Sequence, residues 1–365
     1  MKTARWGVIG LGVGLQHALQ LAEVEDAELV AVCDRDPDAL LRARAVLPDV
    51  TAYLDEMSLL DSGTVDAVVV ASYDNEHARS IIRAIQNGLH VFAEKPLATS
   101  REELIAIRVA LDSHPDVRLS TNTLLRRSPR FAWVRERIRE GSLGDLFHIE
   151  GDYLYGRLAK LAEGWRGRDP DYSVTLGGAI HIVDLLMWLA GDRPARVMAV
   201  GSGKGLRDSV LAQTSHFLGD DFRMALLEFD SGLTAKVSAN FACVLPHFHR
   251  VDVFGSDATF LHVPGGGGTG SDASNGLLFT SRDPASPPTV VDLPYPAVPK
   301  GALLPEFNRV IFGSGAPDIP EQEVLDVMAV CLAIDESRRS GCAVEVTYEQ
   351  VTPRQVRPDE AGEVR

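Results

Sequence analysis

The chain has 365 residues, 45% hydrophobic and 24% charged, with a formal net charge of −15. That length implies about two domains, and the composition excludes a disordered, collagen-like or coiled-coil chain. Such an excess of acid makes a nucleic-acid backbone or an anionic membrane surface a poor partner. No stretch approaches the roughly 18 consecutive apolar residues of a membrane helix, and the opening residues do not read as a signal peptide, so a cytoplasmic location is expected. Cys33, Cys243, Cys331 and Cys342 are widely spaced, which signals neither a disulfide framework nor a thiolate zinc site.

In chain order, an apolar run from Arg5 to Ile9 leads into Gly10-Leu11-Gly12-Val13-Gly14 and a helical stretch from Gln16 to Val24. A second apolar run, Leu29 to Cys33, ends at Asp34. Strand, glycine turn, helix, strand and terminal acid form the dinucleotide-binding fingerprint. Gly10 permits the tight turn, Gly12 lets the backbone approach a pyrophosphate, and the helix start presents free amides to that anion. A strict G-x-G-x-x-G would place its third glycine at position 15, where the chain has Leu15, so close helix-to-strand packing there is in question. Asp34 suits ribose hydroxyls and repels a 2′-phosphate, which favours NAD. Arg35 leaves NADP open, because a guanidinium there can stack on adenine or pair with that phosphate.

The alternation continues with an apolar run from Val65 to Ala71 and a helix from His77 closed by Gly88. A strand from His90 then leads into Glu94-Lys95-Pro96, and Ser100 with Glu103 forms a capping box for the next helix. Leu119 to Thr121 supplies one more strand. A doubly wound parallel sheet therefore accounts for residues 1–123, and Lys95 falls at the carboxyl end of a strand, where such sheets bind ligands.

In the second half, Glu150 to Gly156 reads as a strand. Tyr153, Tyr155, Arg157, Lys160, Trp165 and Arg166 make an aromatic and basic cluster in this acidic chain. Aromatic faces stack on sugar rings while guanidinium groups hold hydroxyls, carboxylates or phosphates; the plainer alternative is a strand edge and a solvated loop. If the cluster lines a pocket, it suits a polar and even anionic ligand such as a sugar acid or sugar nucleotide. Gly177 and Gly178 open a strongly apolar helix carrying His181 and Asp184 on neighbouring positions of one face, and Gly191 closes it. Later runs, Met224 to Phe229, Leu233 to Phe241 and Val251 to Phe254, alternate as antiparallel strands do. His247 and His249 share a strand face but lack a third ligand motif, so no metal is expected. The glycine run from Gly265 reads as a hairpin or surface loop, Glu321 to Ser340 as the last helix, and 351–365 as a polar tail.

The order of the glycine loop, Asp34, Glu94-Lys95-Pro96 and Gly177-Gly178-x-x-His181-x-x-Asp184 resembles the glucose–fructose oxidoreductase, inositol dehydrogenase and rhizopine catabolism (Gfo/Idh/MocA) family. The resemblance implies an α/β chain: a Rossmann domain, then a substrate-binding and oligomerisation domain over 124–350 with an open, mainly antiparallel sheet. It implies NAD(P)-dependent hydride transfer at a hydroxyl or keto carbon of a sugar, cyclitol or sugar derivative, in a homodimer or homotetramer. It makes Lys95 and His181 the catalytic pair and a cis Lys95–Pro96 bond an expectation. Val13, Gly14, Ser72, His77, Glu94 and Asn122 then belong to the cofactor side, His77 by packing over the cofactor, although a helix-entry histidine of no catalytic use is its preferred reading. Asn122, Tyr153, Arg157, Trp165, Arg166, His181 and Asp184 belong to the substrate side, with holding the helix start in place preferred for Asp184 over orienting the imidazole, and Lys300 lies on a segment returning past the site. Many relatives carry Asp four residues before this His, where the present chain has Gly177, so that Asp–His dyad is incomplete. Two other readings fit the resemblance: an enzyme that recycles tightly bound NAD within one turnover, as an epimerase or glycosidase does, and an NAD-sensing regulator, which retention of both Lys95 and His181 disfavours.

Overall fold

The computed structural model describes residues 3–170, 172–265, 274–296, 298–313 and 317–352. The glycine run beyond Gly265 and most of the expected tail lie outside the described residues. The chain divides into two compact units: the first holds residues up to Asn122, Pro299–Met328 and the described residues from Tyr348, and the second holds Thr123–Val298 and Ala329–Thr347. The expected split was contiguous, whereas here two late segments return to the first unit.

In the first unit six parallel strands, β1 (Ala4–Ile9), β2 (Ala27–Cys33), β3 (Thr51–Tyr53), β4 (Ala67–Val70), β5 (His90–Ala93) and β6 (Leu119–Thr121), run in the order β3-β2-β1-β4-β5-β6. Every residue of β4 is buried, as the continuous apolar run requires of a strand covered on both faces. Helices α1 (Gly14–Leu21), α2 (Pro37–Val46), α3 (Glu56–Leu60), α4 (His77–Gln86) and α5 (Arg101–Ser113) connect them. At the start of α5, Ser100 accepts from the Glu103 amide while the Glu103 carboxylate reaches back to the Thr99 amide, one residue beyond the simple box. Strand order reverses between β1 and β4, so the ends of β1, β2, β4 and β5, carrying Gly10, Asp34, Ser72 and Glu94, border one crevice of the kind that binds ligands in open α/β sheets.

The second unit is built on a nine-stranded sheet. Its strands are β7 (Leu146–Leu154), β8 (Pro194–Ser202), β9 (Phe222–Phe229), β10 (Thr234–Asn240), β11 (Phe248–Gly255), β12 (Thr259–Pro264), β13 (Ser274–Phe279), β14 (Thr289–Val291) and β15 (Val344–Glu345). They lie in the order β14-β13-β12-β11-β7-β10-β9-β8-β15. Only β7 and β10 are parallel among the paired strands, which matches the mainly antiparallel sheet expected. Of its helices α6 (Pro129–Arg139), α7 (Ala159–Ala162), α8 (Ile180–Ala190) and α9 (Lys204–Arg207), α8 covers the middle of the sheet. A Cβ at Gly151 of β7 would lie 2.3 Å from Ile182 Cγ2, so the missing side chain sets how closely α8 approaches. Gly191 ends α8 in the left-handed conformation, φ +66°, which glycine adopts without steric cost.

Two further helices are α10 (Leu304–Ile311) and α11 (Glu321–Ser340). In the first unit α10 places Phe307 against Trp6 and Phe92, and Asn308 Oδ1 accepts from Trp6 Nε1 at 2.8 Å. That bond satisfies the indole's polar end in a side chain with no exposure.

Candidate functional site

The first unit's site grows from the glycine loop. Gly10 has φ +84°, and a Cβ there would meet the Ala71 carbonyl oxygen at 2.4 Å, so no other residue fits that turn. At Gly12 a Cβ would meet nothing within 4 Å, which leaves open space on the loop's outer side. No side chain caps α1, so its first amides face that space, as an anion at a helix N-terminus requires. A Cβ at Gly14 would stand 3.1 Å from Ala71 Cβ and Val8 Cγ1. Gly14 thus supplies the close helix-to-sheet packing that Leu15 had put in question. The loop and the amides behind it fit a dinucleotide pyrophosphate.

Asp34 holds this loop in place: its two carboxylate oxygens accept from the Leu11 amide at 2.7 Å and the Asp36 amide at 2.9 Å. Arg35 next to it pairs with Glu76 at 3.0 Å and lies over the Tyr73 ring at 4.4 Å. His77 is buried with both ring nitrogens on backbone carbonyls, Pro96 at 2.6 Å and Ser72 at 3.1 Å. This geometry ties the loop after β4 to the loop after β5.

At the end of β5, Glu94 is 6% exposed, and its Oε1 meets His17 Nε2 at 2.9 Å and Asn122 Nδ2 at 2.8 Å. Burial by itself raises this carboxyl, but the His17 hydrogen bond and the positive charges of His17, Lys300 and Lys95 outweigh it and hold the group at about 2. The clamp joins α1, β5 and β6, and so fixes the backbone from which Lys95 projects. Lys95 is half-buried and its bond to Pro96 is cis, as expected. Asn122 Oδ1 and His17 Nδ1 are buried without a hydrogen-bond partner among the described residues. Asn122, read as a cofactor or substrate contact, therefore gives one amide N–H to Glu94 and keeps its carbonyl oxygen for a ligand. Lys300 is exposed and close enough to act on Glu94. His17 had no distinguishing signal in the sequence beyond its place three residues after Gly14.

In the second unit, His181 is 8% exposed and stacks on Tyr153, with ring centroids 6.0 Å apart and planes 21° apart. Tyr153 also touches Tyr155 at 5.5 Å and His249 at 5.4 Å. Its phenol is pushed well above the usual range, first by burial and then by Tyr155 and Tyr172, against the lowering pull of Arg157 and Arg166. Tyr153 and Tyr155 lie on one side of β7 and its one-residue extension, and Arg157 follows in a turn. Arg157 donates to the Tyr155 hydroxyl at 3.0 Å, and Lys160 Nζ lies 5.7 Å from that ring. Arg166 sits 4.3 Å above Trp165 and donates to the Tyr172 hydroxyl at 3.2 Å. Tyr153, Tyr155, Arg157 and Lys160 thus form one chain of contacts leading to His181, and Trp165, Arg166 and Tyr172 form a second group.

The two glycines before His181 have separate steric causes. A Cβ at Gly178 would lie 2.7 Å from the Tyr153 ring, and one at Gly177 only 1.8 Å from the Tyr172 hydroxyl. The space left by the absent carboxylate side chain is filled by Tyr172, a residue that sequence reasoning did not single out. Asp184, expected to face substrate, has both carboxylate oxygens on Arg126, at 3.0 and 2.6 Å, in a pair 1% and 5% exposed. The carboxylate ties α8 to the turn before α6, so its geometry is that of a group holding the helix start in place, and it is not turned toward a substrate. Among the described residues no group of three or more His, Cys, Asp or Glu side chains is arranged to hold a metal, and no helix is long and apolar enough to cross a membrane.

Residues 4–122 match the family described as "Oxidoreductase family, NAD-binding Rossmann fold", and residues 131–261 match "GFO/IDH/MocA C-terminal domain". A myo-inositol 2-dehydrogenase of Thermotoga maritima is 30% identical over 69% of this chain and 73% of its own. The chain belongs to the Gfo/Idh/MocA oxidoreductase family. Among other Gfo/Idh/MocA relatives, a D-xylose 1-dehydrogenase (NADP(+)) of Haloferax volcanii is 27% identical over 93% of this chain and 99% of its own. The scyllo-inositol dehydrogenase of Lactobacillus casei, solved with NAD(H) and scyllo-inositol, superposes with a TM-score of 0.72 at 19% identity over 94% of this chain and 99% of that one. A levoglucosan dehydrogenase in complex with NADH and levoglucosan gives a TM-score of 0.78 at 20% identity over the same shares. At these identities the solved structures establish the shared fold. The family membership makes this chain an NAD(P)-binding oxidoreductase with an NAD-binding Rossmann domain.

Proposed function

We propose that this protein is a dehydrogenase or ketoreductase acting on a CH–OH group of a sugar, cyclitol or sugar derivative, with NAD as its cofactor. The observation that carries the reading is the His17–Glu94–Asn122 clamp, which fixes Lys95 on the same crevice as the glycine loop. The residues suited to hold the dinucleotide are Gly10, Gly12 and the first amides of α1 for its phosphates and Asp34 for a ribose. The nicotinamide, when bound, accepts or supplies a hydride. Lys95 Nζ hydrogen-bonds the reacting oxygen and stabilises charge developing on it, and the His181 imidazole takes up or returns the hydroxyl proton. Asn122 Oδ1 offers an acceptor to a ligand N–H, which relieves an otherwise unsatisfied buried atom.

NAD is preferred because the Asp34 charge at the end of β2 repels a 2′-phosphate, while Arg35 is already occupied by Glu76 and Tyr73. Exposed Met198, Val200 and Leu226 share one face of β8 and β9 and support a homo-oligomer formed through it. The test is a scan of sugars, inositols and sugar derivatives by NADH absorbance with both cofactors, alongside Lys95→Ala and His181→Ala. Protein that binds no NAD(H), or whose activity survives Lys95→Ala, overturns the reading. Retention of NAD through gel filtration without net NADH release moves the chemistry to recycling within one turnover.

A further inference from the structure

Past the end of β7 the backbone stays paired for one more residue, since the Tyr155 amide donates to Asn240 at 2.8 Å. A tight turn follows, in which the Arg157 amide donates to the Tyr155 carbonyl and the Lys160 amide to the Arg157 carbonyl. This turn brings two cations to one buried ring: the Arg157 guanidinium carbon is 4.8 Å and Lys160 Nζ 5.7 Å from the Tyr155 centroid. Both side chains are exposed, and among the described residues neither has a carboxylate within ion-pair distance. Other arginines of this unit differ, because Arg126 is paired with Asp184, Arg223 with Asp220 and Asp335, and Arg338 with Asp220.

In a chain with 51 acidic residues against 36 basic ones, two cations on one ring with no carboxylate partner present a local positive potential that favours an anion. A guanidinium fork beside an ammonium is suited to a carboxylate or phosphate. The ring carrying this pair is one contact from Tyr153, which stacks on His181, so an anion there and an alcohol carbon at His181 are separated by two ring contacts.

We infer that the substrate carries an anionic substituent, bound by Arg157 and Lys160, and that the substrate class is a sugar acid or a phosphorylated sugar. The inference rests on the dehydrogenase reading for its reacting carbon, but the anion contact stands on equilibrium binding alone. Isothermal titration of the full chain with D-glucuronate, D-galacturonate, D-glucose 6-phosphate and UDP-glucose, each against its neutral sugar, gives the first measure. At least one anionic probe is expected to bind tenfold or more tightly than its neutral counterpart, with an advantage that shrinks as salt is raised; uronates and phosphates separate the two sources of charge. In Arg157→Met/Lys160→Met the anionic-to-neutral ratio falls at least tenfold, and in Arg157→Lys/Lys160→Arg it is largely kept. Thermal midpoints and NADH affinity establish that each variant is folded. No preference for any anionic probe, or a preference that survives the double Met variant, overturns the inference. NADH-linked turnover is scored separately: binding with the expected charge preference but no turnover of any sugar refutes the dehydrogenase reading and leaves the anion site standing.

Discussion

The His17–Glu94–Asn122 clamp makes a quantitative prediction about acid stability. Glu94 is buried and held at about 2 rather than its ordinary 4.5. A carboxyl lowered on folding stabilises the native state above its unfolded value, and this contribution is lost as pH falls toward the folded value. The lowering amounts to ~3 kcal/mol at neutral pH, of which less than half is left at pH 3. Glu94→Gln preserves the shape and an oxygen that accepts from His17 and Asn122 but removes the charge. Urea unfolding of both proteins, followed by circular dichroism from pH 7 to pH 3, should show the variant less stable by ~3 kcal/mol at pH 7. The gap should close by more than half at the acid end. A difference that stays constant across that range, or is absent at pH 7, refutes the assignment of a depressed Glu94 carboxyl bound to His17.

Gly177→Ala forces a methyl onto the Tyr172 hydroxyl, an overpacking expected to cost about 1–3 kcal/mol; the loss measured by thermal unfolding should shrink when Tyr172→Ala is added, and additive losses would refute the contact. Asp184→Asn leaves Arg126 buried against a neutral group and is expected to cost about 3–5 kcal/mol, whereas Arg126→Met with Asp184→Leu should recover most of it in the same assay. Asp34→Ser removes one carboxylate bonded to two loop amides and the charge that repels a 2′-phosphate. Fluorescence titration should show weaker NADH binding and a shift of preference toward NADPH. His262 is pushed down to about 3 by burial and then by Arg130, so it stays neutral when folded; stability should fall as pH drops below 6.5, less steeply in His262→Gln by urea unfolding.

The parts of this protein legible from its sequence are those in which neighbours along the chain do the physical work. Gly10 to Gly14, Asp34 at the end of β2 and the capping residues of α5 act within one turn, and apolar runs such as Ala67–Val70 announce their own burial. The family resemblance extended that reach to Lys95 and His181. Other partnerships depended on how distant elements pack: His17 meets Glu94 across 77 residues, Arg126 meets Asp184 across 58, and α10 returns Asn308 to Trp6 across 302. Even Tyr172, five residues before Gly177, could not be placed from spacing, because its direction follows from packing against Trp165 and Phe217 and from the Arg166 bond. Local spacing determined where the loop, strands and helices form, since backbone sterics and hydrogen bonds act within a few residues. Which side chain is spent on structure and which is left for chemistry was decided only by the tertiary fold, because burial and partner choice are set by residues far apart in the chain.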